Sequence, residues 1–438
     1  MADAASGDTY DAIIVGAGFS GLYMLHRLRA QGLTARIYEA GGGVGGTWYW
    51  NRYPGARVDI ESLEYSYSFS PELDAEWKWS ERYATQPELM AYLNHVADRF
   101  DLRRDIQLET RVTSARFDER SNRWTVATDR GDAVTARYCI MATGCLSVAN
   151  EVAFPGADRF SGETYRTSHW PHEGVDFTGK RVAVIGTGSS AIQSIPLIAE
   201  QAAHVTVFQR TPNFSVPAHN GPIPEDVLED WKKNRAKYRQ EARDAGFAIR
   251  MVDGQETLAF EVTAEQRQAE YERRWGIGGF ALMGAYGDLI VDRAANETAS
   301  EFVREKIRSI VKDPATAEML SPRSFPMGTK RLCIDTGYYA TFNRDNVSLV
   351  DLRAEPLEAI EPTGVRTAEH LYEADAIVYA TGFDAMTGAL GRIDIRGRGG
   401  VTLKDAWADG PRTYLGLMIA GFPNLFMITG PGSPSVLC

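Results

Sequence analysis

The first hydrophobic pattern in the chain predicts a strand, a helix and a second strand in close succession. Residues 12–15 form a short apolar run, which is typical of a buried parallel strand. Apolar residues then recur on one helical face at Leu22, Leu25 and Leu28. A second strand is predicted over residues 34–38. This order indicates an α/β domain built on a parallel sheet.

The same pattern returns near the middle of the chain. Residues 182–185 are strand-like, a helix follows with Ile192, Ile195 and Ala199 facing inward, and residues 205–208 form the next strand. Because the unit occurs twice, the sequence predicts an α/β fold with two Rossmann-like dinucleotide-binding domains.

Further elements are predicted around these two units. Residues 84–100 have a helical pattern, and residues 106–140 resemble short antiparallel strands. Residues 222–325 are charged and carry several helical patterns, whose charges we assign mostly to solvated faces. We interpret this segment as a helical insertion in the second domain that shapes a pocket or a lid.

The turn after the first strand carries a dinucleotide-binding motif. Gly16, Gly18 and Gly21 form G-x-G-x-x-G, which permits a tight turn, close approach of a pyrophosphate and close helix–strand packing. Glu39 follows the second strand, where an acid can accept hydrogen bonds from a ribose. The motif is weak alone, but its strand–turn–helix–strand–acid context indicates an FAD site.

The turn after the strand at 182–185 carries a related motif with a different ending. Gly186 and Gly188 begin G-x-G-x-x-A, and Ser189 and Ser190 lie within it as candidate cofactor contacts. No acid stands where Glu39 stands in the first unit; Arg210 and Thr211 occupy that place instead. A guanidinium suits a 2′-phosphate, so the motif favours NADPH, with a solvated surface charge as the alternative for Arg210.

These motifs give predicted domain boundaries. An Ala-Thr-Gly exit follows a strand at 142–144 and again at 380–382, which suggests that the chain crosses back into its first domain. We therefore expect a discontinuous FAD-binding domain at 1–145 and 382–438, and an NADP-binding domain at 146–381.

Two other stretches carry candidate chemistry. The glycine-rich loop at 41–46 is followed by three aromatics at 48–50, which form either a core plug or the wall of a flat cofactor's site. Gly46, Thr47 and Trp48 are therefore candidate cofactor contacts. Gly328-Thr329-Lys330-Arg331 places two adjacent cations where they could serve a phosphate and an oxyanion.

Composition narrows the partners and the compartment. The 438 residues carry a formal net charge of −11, which argues against a nucleic-acid partner. None of the four cysteines forms a C-x-x-C pair, so neither a redox-active disulfide nor a cysteine-based metal site is expected. The first residues lack a signal-peptide pattern and no apolar run is long enough to cross a membrane, so we expect a cytoplasmic protein. A monomer is consistent with the sequence, which does not fix the oligomeric state.

Two further signatures make the chain resemble the type I Baeyer–Villiger monooxygenases, the phenylacetone and steroid monooxygenases in particular. GTWYWNRYPGARVD carries the family's G-x-W…Y-P-G…D pattern, from Gly46 through Trp48 to Asp59. FSGETYRTSHWP carries the fingerprint F-x-G-x-x-x-H-x-x-x-W-P, and the matching residues are Phe160, Gly162, Trp170 and Pro171. The resemblance covers essentially the whole chain.

The chain departs from this family in two places. Arg166 occupies the histidine position of the fingerprint, and a permanent charge cannot act as a neutral hydrogen-bond partner. The family uses this segment to couple the nicotinamide and flavin domains. The resemblance therefore implies that this coupling and the reaction rate are in doubt in this chain. The sequence also stops at Cys438, where the family continues, so it is expected to be either a fragment or a short member.

The resemblance implies a mechanism and residues for it. NADPH would reduce FAD, reduced flavin and O2 would give a peroxyflavin, and its attack on a ketone would give an ester or lactone. Arg331 would stabilise the negative charge, and Asp59 would position Arg331. Lys330, with Arg210 and Thr211, would bind the 2′-phosphate. Ser435, Val436 and Leu437 would line the substrate pocket, which is a set implied by the resemblance alone.

Three other interpretations remain open. A flavin N- or S-oxygenating enzyme would share the cofactors, although Trp170-Pro171 and the Asp59 motif speak against it. An uncoupled or inactive FAD- and NADPH-binding flavoprotein fragment would fit Arg166 and the early end. A disulfide reductase is nearly excluded by the lack of C-x-x-C. From the residues alone, Arg331 could equally be a salt-bridged structural residue.

Overall fold

The computed structural model describes residues 9–245, 249–250 and 254–433. Its strands, in chain order, are β1 Thr9–Val15, β2 Ala35–Tyr38, β3 Ile106–Gln107, β4 Val112–Asp118, β5 Arg123–Thr128, β6 Ala133–Met141, β7 Glu163–Arg166, β8 Arg181–Ile185, β9 His204–Gln209, β10 Ser215–Pro217, β11 Cys333–Asp335, β12 Val347–Asp351, β13 Leu357–Glu361, β14 Gly364–Thr367, β15 Leu371–Glu373, β16 Ala376–Tyr379, β17 Asp394–Arg396 and β18 Leu425–Met427.

The α-helices are α1 Phe19–Ala30, α2 Thr47–Trp50, α3 Pro71–Glu76, α4 Gln86–Arg99, α5 Ser189–Gln201, α6 Glu225–Asp244, α7 Ala264–Ile277, α8 Arg293–Ile310, α9 Pro314–Leu320, α10 Tyr338–Thr341, α11 Gly388–Gly391 and α12 Leu403–Ala406. Short 3-10 helices lie at Arg103–Asp105, Ala157–Arg159, Gly279–Gly284 and Arg398–Gly400. Within the described residues, no helix is both long and apolar enough to span a bilayer.

The first of two compact units is built on an eight-stranded mixed sheet. Strands run in the order β17-β4-β5-β6-β1-β2-β3, and β18 pairs with β6. β1 lies parallel to both β2 and β6, whereas β4, β5 and β6 pair antiparallel as the sequence predicts. Trp124 is fully buried in the core of this unit, and its indole N–H donates to the carbonyl of Pro423 at 2.9 Å. Buried residues alternate along β5 at Trp124 and Val126 and along β6 at Val134 and Ala136, and all four lie in this core.

The second unit contains a five-stranded parallel sheet. Its order is β12-β9-β8-β16-β7, with every neighbouring pair parallel. The apolar runs of β8 and β9 are buried on both faces, as expected for central strands of a parallel sheet. Helices α6 to α9 lie in the segment predicted to be a helical insertion. The fold class predicted from the sequence, α/β with two Rossmann-like units and a helical insertion in the second, is confirmed.

The division of the chain differs from the predicted boundaries chiefly at residues 52–86, while the other two boundaries fall after Asn150 and Gly382 instead of after residues 145 and 381. Of the described residues, one unit contains 9–51, Pro87–Asn150 and 383–433, and the other contains Arg52–Gln86 and those within Glu151–Gly382. The sequence prediction placed 52–86 in the first domain, but backbone hydrogen bonds attach it to the second unit. Arg82 N–H donates to Gly221 and Ile223 N–H donates to Ser80. These partners are distant in sequence, so no local pattern marks them.

Candidate functional site

The first glycine motif forms a turn with no room for a side chain. Gly16 follows β1 with φ 105°, and a Cβ there would lie 2.5 Å from the carbonyl oxygen of Ala142. A Cβ on Gly21 would lie 1.9 Å from the carbonyl oxygen of Gly16. Helix α1 begins just beyond Gly18, and no side chain caps its N-terminus. The turn therefore presents helix-terminal N–H groups in the arrangement that suits a pyrophosphate.

The glycine-rich loop after β2 faces this turn. A Cβ on Gly18 would lie 3.4 Å from the Cα of Gly46, and a Cβ on Gly46 would lie 2.9 Å from the Cα of Gly18, so the two backbones pack closely against each other. Thr47 begins the short helix α2, and Trp48 on it is buried. The loop therefore lies beside the predicted pyrophosphate turn, and the burial of Trp48 agrees with a place in the core, so contact of these residues with a cofactor stays a prediction.

Glu39 lies at the predicted end of β2, and its carboxylate already has backbone partners. One oxygen accepts the N–H of Ala17 and the other accepts the N–H of Gly41, both at 2.7 Å. Burial raises the pKa of Glu39, and these N–H donors oppose that rise. Each oxygen retains a second acceptor site, so contact with a ribose stays a prediction.

The second glycine motif repeats the geometry of the first. Gly186 has φ 115°, and a Cβ would lie 2.4 Å from the carbonyl oxygen of Ala380. Helix α5 begins after Gly188, again without a side-chain cap. The Ser190 hydroxyl donates to Thr167 Oγ1 at 3.1 Å, and the Ser189 hydroxyl lies 3.2 Å from Cys333 Sγ. Both serines thus fix neighbouring segments around the turn.

The cations predicted to bind a 2′-phosphate lie on exposed positions. Arg210 directly follows β9, and Lys330 Nζ lies 4.3 Å from the centroid of the Phe325 ring. Thr211 is held by two contacts: its carbonyl accepts the Thr187 hydroxyl at 3.0 Å, and its Oγ1 accepts a guanidinium N–H of Arg353 at 3.2 Å.

Arg353 is a cation that the sequence analysis missed. It follows β12, whose parallel pairing with β9 sets Asp351 opposite Gln209. Arg353 lies beside Thr211 because β12 and β9 are neighbours in the sheet, and this pairing cannot be deduced from the residues around Arg353. An amphipathic strand pattern alone does not predict which strand becomes the neighbour.

Asp59 and Arg331 form a direct ion pair within the second unit. Arg331 Nε donates to Asp59 Oδ2 at 2.9 Å, and the Asp59 side chain is 9% exposed whereas that of Arg331 is 39% exposed. Burial raises the pKa of Asp59, and the charge and hydrogen bond of Arg331 oppose that rise. The pair therefore presents a partly exposed cation that a buried carboxylate holds in place.

The fingerprint segment supports the parallel sheet of the second unit. A Cβ on Gly162 would lie 2.4 Å from the carbonyl oxygen of Asp375, and Phe160 packs against the apolar core there. Trp170 is buried beside Tyr165, and Pro171 follows it.

Arg166 ends β7, the edge strand of the same sheet. Its guanidinium carbon lies 5.2 Å from the centroid of the Tyr379 ring on the neighbouring strand β16. The structure thus places the charge that replaces the family histidine against an aromatic ring.

The predicted substrate contacts Ser435, Val436 and Leu437 lie outside the described residues. In the described part of the chain, ligand atoms of Glu355, Glu369 and His370 lie within 4.8 Å of one another. The Glu355 oxygens already accept hydrogen bonds from protein side chains, so this cluster carries no argument for a metal.

Comparison with known proteins identifies a matching family model and relatives that align with nearly the whole chain. The pyridine nucleotide-disulphide oxidoreductase family model matches residues 13–274. A "Baeyer-Villiger monooxygenase" of Pseudooceanicola batsensis is 43% identical over 98% of this chain and 78% of its own length. "Phenazine N-monooxygenase PhzNO1" of Lysobacter antibioticus is 45% identical over 97% of this chain and 78% of its own.

Solved structures agree with this chain over nearly its full length. "Oxidized steroid monooxygenase bound to NADP" superposes with a TM-score of 0.95 at 58% identity, covering 98% of this chain and 82% of that one. A "Crystal Structure of OTEMO complex with FAD and NADP" has a TM-score of 0.95 at 43% identity, with the same coverage of both chains. With these relatives and the geometry above, the chain belongs to the Baeyer–Villiger monooxygenase family.

Proposed function

We propose that the protein binds FAD at the first glycine motif and NADPH at the second, and uses them with O2 to convert a ketone into an ester or lactone. The buried Asp59 that fixes Arg331 is the observation that carries this proposal. The names of the relatives and of the FAD- and NADP-bound structures support it. FAD, when bound, would activate O2, and O2 supplies the oxygen atom that is transferred.

Arg331 supplies a fixed positive charge for this reaction. Addition of a nucleophilic oxygen to a ketone carbonyl places negative charge on the carbonyl oxygen, and a guanidinium stabilises that charge. Asp59 holds the guanidinium through Nε, so little reorganisation is needed when the charge develops. Removing one preorganised donor of this kind costs about 3 to 4 kcal/mol of transition-state stabilisation.

The second glycine motif and the cations near it select NADPH. The N-terminus of α5, which no side chain caps, would hold the pyrophosphate, and Arg210, Thr211 and Lys330 would bind the 2′-phosphate. Arg353 joins this set, because its guanidinium already contacts the Thr211 hydroxyl. Cations at this position favour the phosphate of NADPH over the bare ribose of NADH.

Oxygenation of a nitrogen atom is the second candidate function. The relative named phenazine N-monooxygenase is 45% identical to this chain, which is as close as the named Baeyer–Villiger relative. The same cofactors would serve it, so the substrate class must be tested directly.

Aerobic turnover distinguishes these candidates. The purified protein would be incubated with FAD, NADPH and a panel of aryl ketones, cyclic ketones, a phenazine and a sulfide. Products would be identified by mass, and H2O2 would be counted alongside. An ester or lactone supports the proposal, and an N-oxide or sulfoxide as the sole organic product supports the alternative. NADPH oxidation that yields H2O2 alone contradicts both.

A further inference from the structure

Gln193 is a buried polar residue on a helix whose other buried residues are mostly apolar. It lies on α5 and is 6% exposed, and its neighbours Ile192 and Ile195 on the same helix are fully buried. A buried amide is retained only where its hydrogen bonds are satisfied. The question is therefore what the Gln193 amide contacts.

The amide contacts the segment that carries Asp59. Tyr53 O–H donates to Gln193 Oε1 at 2.9 Å. Gln193 Nε2 donates to the carbonyl oxygen of Arg57 at 3.2 Å and to Asp59 Oδ1 at 3.3 Å. The two carboxylate oxygens of Asp59 are thus divided, with Oδ1 on Gln193 and Oδ2 on Arg331.

The chemistry of these partners fixes the orientation of the amide. The Arg57 carbonyl and the ionised Asp59 carboxylate only accept hydrogen bonds, so a flipped amide would set oxygen against oxygen. Burial raises the pKa of Tyr53, so its hydroxyl keeps the proton that it donates to Oε1. The amide oxygen Oε1 therefore faces a hydrogen-bond donor, and the amide nitrogen Nε2 faces two acceptors.

The backbone docks at the same residue. Gly55 has φ 81°, and a Cβ there would lie 2.3 Å from the carbonyl oxygen of Gln193. The Pro54–Gly55 turn therefore packs directly on α5, and the side chain of Gln193 reaches past it to Asp59. Both the side-chain hydrogen bonds of Gln193 and the packing of Gly55 on its backbone carbonyl join the helix to this segment.

We propose that Gln193 is a positioning residue that holds the Asp59 carboxylate in the orientation required to fix Arg331. This inference rests on the proposed role of Arg331 and adds a residue to it. A carboxylate anchored at one oxygen can rotate about its side-chain bonds, whereas one anchored at both oxygens cannot. Because α5 starts at the second glycine motif, the same helix supports both the dinucleotide turn and the Asp59–Arg331 pair.

The test is the pH profile of ester formation in Gln193→Met, which keeps the length of the side chain but cannot donate. A donor to a carboxylate favours its charged form, so losing it raises the pKa of Asp59. The acidic limb of the kcat profile should move to higher pH by about half a unit to one unit, and kcat at pH 7 should fall about tenfold with little change in the ketone KM.

Other titratable groups near Asp59 do not account for such a limb. Arg331 stays charged, and burial raises the pKa of Tyr53, of Tyr83 and of Cys333, the last to about 12. Each of these three groups is therefore neutral across the range measured. Glu61, Glu64 and Asp335 are further carboxyl groups around these side chains. Gln193 donates to Asp59 and is not a described hydrogen-bond partner of those three, so a limb that moves in Gln193→Met reports Asp59.

Gln201→Leu serves as the matched control. Gln201 lies at the end of the same helix, and its amide oxygen accepts the N–H of Phe177 at 3.3 Å. This variant also loses one amide hydrogen bond from α5, so it should change stability without moving the acidic limb. If the acidic limb of the kcat profile lies at the same pH in Gln193→Met as in the wild type, the inference is overturned.

A stability cycle tests the contact without any turnover. Thermal midpoints would be measured for the wild type, Gln193→Met, Asp59→Ala and the double variant. We expect Gln193→Met to lower the midpoint by several degrees in the wild type and by clearly less when Asp59 is absent. Equal losses in both backgrounds would overturn the inference. If the wild type forms no ester at all, the proposed function fails while this cycle still decides the contact.

Discussion

At the scale of single residues, Arg166 is the clearest departure from the family fingerprint. The guanidinium carries a permanent charge against the Tyr379 ring at the edge of the parallel sheet. Desolvation raises the pKa of Tyr379, and Arg166 opposes that rise, so the two groups interact electrostatically. A neutral imidazole at this position could both donate and accept a hydrogen bond, which a guanidinium cannot.

We predict that Arg166→His raises the ratio of ester formed to NADPH oxidised. The ratio is measured from product mass and NADPH absorbance in one reaction, with H2O2 as the complementary product. Arg166→Gln is the control, since it removes the charge without supplying an imidazole. A ratio that is unchanged or lower in Arg166→His would show that the arginine is suited to this chain.

Cofactor choice is also decided at this scale. We predict that Arg210→Gln and Arg353→Gln each raise the KM for NADPH about tenfold or more and leave the KM for NADH nearly unchanged. Loss of a charge-assisted hydrogen bond to the 2′-phosphate costs about 1.5 to 3 kcal/mol, and NADH has no such phosphate. Steady-state kinetics with both cofactors measures this split.

Arg344→Gln is the control for that measurement. Arg344 is an exposed arginine whose Nε donates to Asn346 at 3.1 Å, so its loss should leave both KM values unchanged. Parallel changes in the two KM values for Arg210→Gln or Arg353→Gln would remove that residue from 2′-phosphate recognition.

At the scale of elements, one carboxylate on helix α7 of the insertion binds two arginines of the same helix. Glu270 accepts hydrogen bonds from Arg273 and Arg274, and the Arg274 side chain is 2% exposed. Hydrogen bonds from Arg273, and then the charge and hydrogen bond of Arg274, lower the pKa of Glu270 to about 2. Removing the acid leaves a buried guanidinium without this carboxylate.

We predict that Glu270→Gln lowers the free energy of unfolding at pH 7 by about 3 kcal/mol. An acid with a lowered pKa stabilises the fold above its unfolded pKa, and this contribution is lost as pH falls toward the folded value. The difference between wild type and variant should therefore be constant above about pH 5 and shrink toward pH 2. Urea unfolding across this range measures it.

Glu272→Gln is the matched control for this helix, because the Glu272 side chain is 47% exposed and its ion pair with Lys306 should contribute little. A loss of stability in Glu272→Gln as large as that in Glu270→Gln would contradict the role given to the buried Arg274.

The sequence predicts those elements whose signal is local. β1, β8, β9 and α5 follow from apolar periodicity, and each glycine turn follows from its motif. β7 was not predicted as a strand, because it is a four-residue edge strand with exposed and half-buried positions only. The attachment of 52–86 to the second unit depends on partners far along the chain, which periodicity does not encode.

At the scale of the whole molecule, the site depends on pairs that are distant in sequence. Asp59 and Arg331 are 272 residues apart, and only the family resemblance predicted their pairing. Gln193 and Arg353 carry no motif, and they emerge only when helix and strand neighbours are known. Sequence motifs therefore predicted the glycine turns at the cofactor sites. The residues that support the site, Gln193 and Arg353, could be identified only from the folded structure.

The most direct test of the central claim compares wild type with Arg331→Ala in two half-reactions. Reduction of bound FAD by NADPH would be followed anaerobically by flavin absorbance, and ester or lactone would be measured by mass after aerobic turnover. Arg323→Ala is the control, since Arg323 is an exposed arginine paired with Glu318. We predict that Arg331→Ala reduces flavin at a rate within a few fold of wild type but loses ester formation by about a hundredfold or more. Ester yield from Arg331→Ala equal to that of wild type would contradict the account.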